Sequence, residues 1–296
     1  MSNSNNQTLT DKNLRTAENI TSSQKMMIFV LSMAMFGLSE LVLEIVPDIQ
    51  VGPFEIGISY FSFIPATLAA LFAPAQVALG AVTGKVIFAG LLMGDFGGIG
   101  ELESFIQMSL AIYVAGMLVP DPKNKRQLFI APIVLVAIDK GIGGIVDYLK
   151  VVIGVAEFEA VPGLPESVLV TELFAFFEDT FISGVLLGAI PTMFLAPRLY
   201  GKIEPLLGMK PRVARPKIQF SFINVKTVTI AIVLAVVSGA VAFLDEFDMN
   251  FGIWEPDFID QYGNAAVFAG IGIALVVLII VILLMRNRAT KKYEYD

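Results

Sequence analysis

Ten ionisable side chains lie inside long apolar runs of this chain: Glu40, Glu44, Lys85, Asp139, Lys140, Asp147, Lys150, Glu172, Glu178 and Asp179. A charge placed there is costly unless it faces water, a partner or a solute. Glu40 and Glu44 stand one helical turn apart, so they share a face and repel each other. That face must look onto something wet, either headgroups or a cavity. Lys140, Gly143, Asp147 and Lys150 recur at spacings of three and four and share a second face. Glu172, Asp179 and Ser183 share a third. Seven acids stand against three lysines, which points to a cationic or amine-bearing solute. Two alternatives are open: carboxyls that stay protonated, and an internal ion-pair ladder that only holds helices together. The candidate binding residues are Glu40, Glu44, Glu172 and Asp179 around one cavity, with Lys140 and Asp147 opposite. Lys85 is a plausible partner for Asp139 or Asp179.

Other chemistries lack their residues. The chain has no Cys and no His, so thiolate sites, disulfides and imidazole catalysis are excluded. A His-Glu-x-x-His metalloprotease site cannot be built. Asp139 and Asp179 could formally face each other as an acid pair, but the Gly-rich surroundings of an aspartyl intramembrane protease are missing. Gly80-Ala-Val-Thr-Gly84-Lys85 is one residue short of a phosphate loop and lacks the following Ser or Thr. It reads better as the small-xxx-small pair Gly80/Gly84, which lets two helices approach closely. No enzyme, cofactor or metal is expected, and the net charge of −7 gives no reason to expect nucleic acid.

The elements that must hold these charges are membrane spans. The chain is 56% hydrophobic and 16% charged, with mean hydropathy +0.75. Soluble domains run at about 45–50% and about 25%. Eight spans are read, near residues 26–46, 58–73, 75–94, 104–119, 128–155, 168–196, 225–244 and 264–285. Pro74 makes the turn between the second and third so tight that they form an antiparallel hairpin. Of 20 Lys and Arg, 17 fall in four segments: Lys12–Lys25, Lys123–Arg126, Arg198–Lys226 and Arg286–Lys292. Basic residues near span ends stay cytoplasmic, so the chain is expected to cross the cell membrane several times with both termini on the cytoplasmic side. The connections 47–57, 95–103, 156–167 and 245–263 are then outside. Trp254, in the last of them, reads as an interfacial anchor.

The expected fold class is an all-α polytopic membrane protein. Residues 1–25 form a polar tail, 26–197 a six-span bundle, 198–224 a basic Pro-rich linker, 225–285 a two-span hairpin and 286–296 a tail. The last two spans carry small residues every fourth position: Ala231, Ala235 and Gly239, then Ala266, Gly270 and Ala274. They are expected to pair with each other as a structural addition without a solute site.

Residues 52–119 carry a familiar pattern. Gly52-Pro-Phe-Glu-Ile-Gly-Ile is followed by Phe63-Ile64-Pro65-Ala66, then Leu71-Phe72-Ala73-Pro74 with Gly80 and Gly84, a Gly-rich turn at Asp95–Gly100, and Ala115-Gly116-Met117. Over residues 26–200 the chain resembles the substrate-binding S components of energy-coupling factor vitamin transporters. The chain departs from them by adding two spans, and Ser32, Ala34 and Gly37 do not match the family's Ala-xxx-Ala docking surface. The resemblance implies a six-helix bundle that binds a small solute in its outer half under the 47–57 loop. It implies as partners a transmembrane coupling subunit and ATPase subunits, which topple the bundle in the lipid bilayer and release the solute inside. A membrane sensor or accessory subunit is the alternative. A secondary transporter is a third reading, but its inverted repeats are not found, since the broken hairpin of 58–94 does not recur.

Overall fold

A computed structural model describes residues 20–43, 46, 49–51, 54–94, 96–98, 100–154, 166–212 and 225–246, and separate helical positions between 265 and 280. The chain is mainly helical. Helix α1 is Ser22–Leu43, and an antiparallel hairpin follows, β1 Ile49–Val51 and β2 Phe54–Ile56, with Ile49 opposite Ile56. Helix α2 is Phe63–Leu71, and α3 is Pro74–Lys85, prolonged by a π-helical stretch over Val86–Leu91. Helix α4 is Gly100–Met117 and α5 is Lys125–Ile153. Helix α6, Glu166–Asp179, continues through a π-helical segment, Thr180–Ala189, into α7, Ile190–Leu199. A 3₁₀ turn at Pro205–Leu207 precedes α8, Val225–Glu246.

Among the described residues, four helices are long and apolar enough to cross a membrane: Ser22–Leu43, Pro74–Leu91, Lys125–Ile153 and Val168–Leu199. They match expected spans one, three, five and six. The second expected span, 58–73, differs. Its helix is only nine residues, about 13 Å long, less than half of a bilayer core of about 30 Å. The residues before it stay out of the helix because their polar groups bond to α6 and its π segment instead: the Gly57 and Ser59 amides and the Ser59 and Ser62 hydroxyls all donate there. The 47–57 connection contains the β hairpin, whose second strand packs on α6.

The core is built on close backbone approaches. A Cβ on Gly80 or Gly84 would run into the carbonyl groups of Phe29 and Met33 on α1, so this pair seats α3 directly against the α1 backbone. Gly116 of α4 does the same beside the Pro74 turn, where a Cβ would lie 2.7 Å from the proline Cβ. Gly188 of the π segment lies against Pro132 of α5. Pro74 opens α3, where a missing N–H is harmless. Asn124 caps α5 by accepting from the Arg126 and Gln127 amides at 3.1 and 3.4 Å.

The two ends of the bundle differ. At the end carrying the β hairpin lie the C-termini of α1 and α5 and the starts of α4 and α6. At the end carrying Pro74, the segment read as the start of a linker is folded through Arg212. Leu207 and Glu204 are buried there, and Gln24 donates to the Gly208 carbonyl at 2.7 Å. Residues 213–224 lie outside the described residues. Helix α8 packs on α4 and α5, with Ser238 and Ala242 fully buried and Gly239 facing Val146. Ile271, from the last helical stretch, packs near Leu41, Phe88 and Met93. Among the described residues, both C-terminal segments make contact with the first six.

Candidate functional site

The deepest polar side chains converge from four elements at the hairpin-end half of the bundle. Helix α5 supplies Asp139 and Lys140. Lys140 Nζ lies 3.4 Å from Asp179 Oδ2, at the point where α6 gives way to its π segment. The other Asp179 oxygen accepts from the Ser59 hydroxyl. The Ser59 amide donates to Ser183 Oγ at 3.1 Å, and the Ser62 hydroxyl donates to the Ser183 carbonyl. Next to them the Gly57 amide donates to Glu178 Oε1 at 3.2 Å, tying the end of the β hairpin to α6.

Tyr60 sits in the middle of this group, 2% exposed. Its ring meets Phe36 of α1 edge to face, with centroids 6.2 Å apart, and Lys140 Nζ lies 6.0 Å from its centroid. The Tyr60 hydroxyl faces the Asp139 carboxyl within electrostatic range but closes no hydrogen bond of ordinary geometry. Glu40 of α1 is buried and acts on the same ring. Lys85 acts on Asp139 through space, but its ammonium is bonded to Ser104 at 3.2 Å and pairs with neither aspartate.

A second polar layer lies nearer the hairpin end. Lys150 reaches Asp147 at 3.4 Å and Glu103 of α4 at 3.9 Å. Glu103 also accepts from Gln107 at 2.7 Å. Glu172 leans over Gly144, where an added Cβ would come within 3.0 Å of its carboxylate, so the glycine makes room for the acid.

Of the candidate residues, Lys140 and Asp179 are directly joined, and Glu40 borders the same group. Asp147 and Glu172 belong to the second layer, and the Asp147 side chain is 49% exposed. Glu44 lies outside the described residues. Ser59, Tyr60 and Ser62 are not among the candidates, because the sequence reads residues 58–62 as the start of a span. Glu103 is not among them either, placed at the end of an outside loop. Among the described residues, no group of three or more carboxylates gathers as a metal cage would require.

The arrangement can hold a small polar group by charge and hydrogen bonding. It has carboxylates, an ammonium, serine hydroxyls and an aromatic face. These features define a class: a mainly helical bundle of membrane-spanning proportions with a charged interior near one end. More particularly, the chain belongs to a family of unknown function (DUF8171), whose family model matches residues 27–294. The match runs through α8 and the last helical stretch as well as the first six segments. No curated protein and no solved structure matches the chain.

Proposed function

We propose that this protein is a membrane-embedded binding subunit for the uptake of a small solute, cationic or vitamin-like, energised by separate coupling and ATPase subunits. In this reading the chain crosses the bilayer eight times with both termini on the cytoplasmic side, and the hairpin end faces out. The observation that carries it is the Lys140–Asp179 pair enclosed with Glu40, Tyr60, Asp139, Ser59 and Ser62 beneath the β hairpin. Asp139 and Asp179 beside Lys140, with Glu40 near the same tyrosine, give an acidic surrounding that favours a positively charged group over an anion. The Tyr60 face offers such a cation a second contact. The resemblance to S components supplies the borrowed energy source, and the absence of any nucleotide motif in the sequence agrees with it.

Native mass spectrometry of the detergent-solubilised chain tests this. One small molecule should stay bound at stoichiometric level, and its loss should lower the melting temperature. A protein that carries no solute, and that gains no thermal stability from a panel of organic cations and vitamins, would instead be an accessory or sensor subunit.

A further inference from the structure

The nine-residue helix α2 is tied by polar contacts at both ends and only packed between them. At its start, the lead-in residues Ser59 and Ser62 hold Asp179 and Ser183. At its end, one guanidinium nitrogen of Arg212 is shared over three carbonyls, those of Ala69 and Ala70 in α2 at 3.2 Å and of the capping residue Phe72 at 3.4 Å. Every residue from Pro65 to Leu71 is buried, and the Thr67 hydroxyl bonds to nothing. Along its length the helix shows its neighbours mainly methyl and methylene groups, which resist sliding far less than directional bonds do. Its axial position is therefore set at its ends.

Arg212 does not float. The Tyr200 hydroxyl donates to the Arg212 carbonyl, and Lys123, from the turn before α5, lies 4.9 Å over the Tyr200 ring. Burial first, then Glu204 and Asp121, hold the Tyr200 phenol above its ordinary range, so it remains a donor. The buried cap beneath, Glu204 and Leu207, fixes the chain that carries Arg212, and the Gly201 amide donates to Glu204 at 2.8 Å.

We infer that Arg212 is a positioning residue for the polar cluster: it acts through α2, so that what engages the proline end of the bundle sets the placement of Ser59 and Tyr60 at the other. A partner that draws the 200–212 segment aside would release the α2 carbonyls and loosen the serine contacts about 13 Å away. The regulatory meaning rests on reading the cluster as a solute site, but the mechanical link does not.

Hydrogen exchange on the full chain in detergent or nanodiscs tests the link without any solute. Arg212→Ala removes a charge-assisted cap, and exchange should rise about tenfold at 69–73 and also at 57–62, with 74–85 unchanged. Arg212→Lys should give a smaller rise at both places. A rise confined to 69–73 makes Arg212 a local helix cap and overturns the inference. If Arg212→Ala loosens the whole bundle, Tyr200→Phe decides, since it keeps the guanidinium and frees only its backbone anchor. It should raise exchange at 57–62 as well as at 69–73, and wild-type protection at 57–62 overturns the inference. Failure of the solute reading would show separately, as an Arg212-dependent exchange pattern in a protein that binds no solute.

Discussion

Asp179 is held by two kinds of contact at once, a charge from Lys140 and a hydroxyl from Ser59, and they respond differently to substitution. Asp179→Asn keeps an acceptor for Ser59 and removes only the charge. Lys140 is then left beside Asp139, with a side chain that is 35% exposed, so it is not stranded. Stability should fall by about 1 kcal/mol or less. Affinity for a cationic solute should fall at least about tenfold, since a charge-assisted contact is worth about 1.5–3 kcal/mol. Lys140→Met is the harsher change. It removes the ammonium paired with Asp179 and acting on Asp139. With the Lys140 side chain 35% exposed, the loss should be about 2 kcal/mol, below the roughly 3–5 kcal/mol of a fully buried pair. Thermal melts of the two variants in one detergent check the order. If Asp179→Asn is the more destabilising, the pair is a structural rung and the solute reading loses its centre. The charged half of this site was legible in the sequence because lipid makes each charge conspicuous. Ser59, Tyr60 and Ser62 were not legible, since a hydroxyl in an apolar run is cheap and looks like any span residue.

That α3 would approach another helix closely was readable, because two glycines four apart in an apolar helix have few other uses, but nothing in the sequence named α1 as its partner. Gly80 and Gly84 do lie on the backbone of Phe29 and Met33. Gly84→Ala would press its methyl against the Met33 carbonyl, and the two helices must part to admit it. A loss of about 1–3 kcal/mol is expected, seen as a lower melting temperature. Gly97→Ala is the control: nothing lies within 4 Å of a Cβ there, and stability should be unchanged. Equal melting of the two variants would mean that the α1–α3 contact is looser than described. The π segments were not readable. A π turn arises when one extra residue is accommodated within a helix, and no residue type announces it. The expectation that Glu172, Asp179 and Ser183 share one face assumed regular spacing through residue 183, whereas π geometry begins at Thr180. Ser183 still meets Ser59, and Glu172, two turns before Asp179 in the regular part of α6, shares its face at a different depth, over Gly144. The short α2 was hidden for a related reason. Its apolar run is long enough to span, and only tertiary bonds to α6 and its π segment show that the first residues are not helical.

At the scale of the whole molecule, the one-sided basic charge is the feature that orients everything else. Lys25 at the start of α1, Lys123, Lys125 and Arg126 before and in α5, and Arg198, Lys202, Lys210 and Arg212 at the cap all belong to the proline end of the bundle. The fold brings these stretches together: Gln24 bonds to Gly208, and Lys123 stacks on Tyr200. The acids Glu40, Glu103, Asp147 and Glu172 lie toward the opposite end. If the proline end is cytoplasmic, as retained basic residues require, the polar cluster opens toward the outside, where an uptake subunit must meet its solute. The absence of native Cys makes this simple to test. A Cys at Gly97, in the turn before α4, should react with a membrane-impermeant maleimide on intact cells. A Cys at Lys125, exposed at the first residue of α5, should react only after the membrane is opened. Labelling of Lys125→Cys from outside with protection of Gly97→Cys would invert the molecule and place the cluster toward the cytoplasm. The cap carrying Arg212 would then lie on the outer face, and no cytoplasmic partner could reach the site through α2.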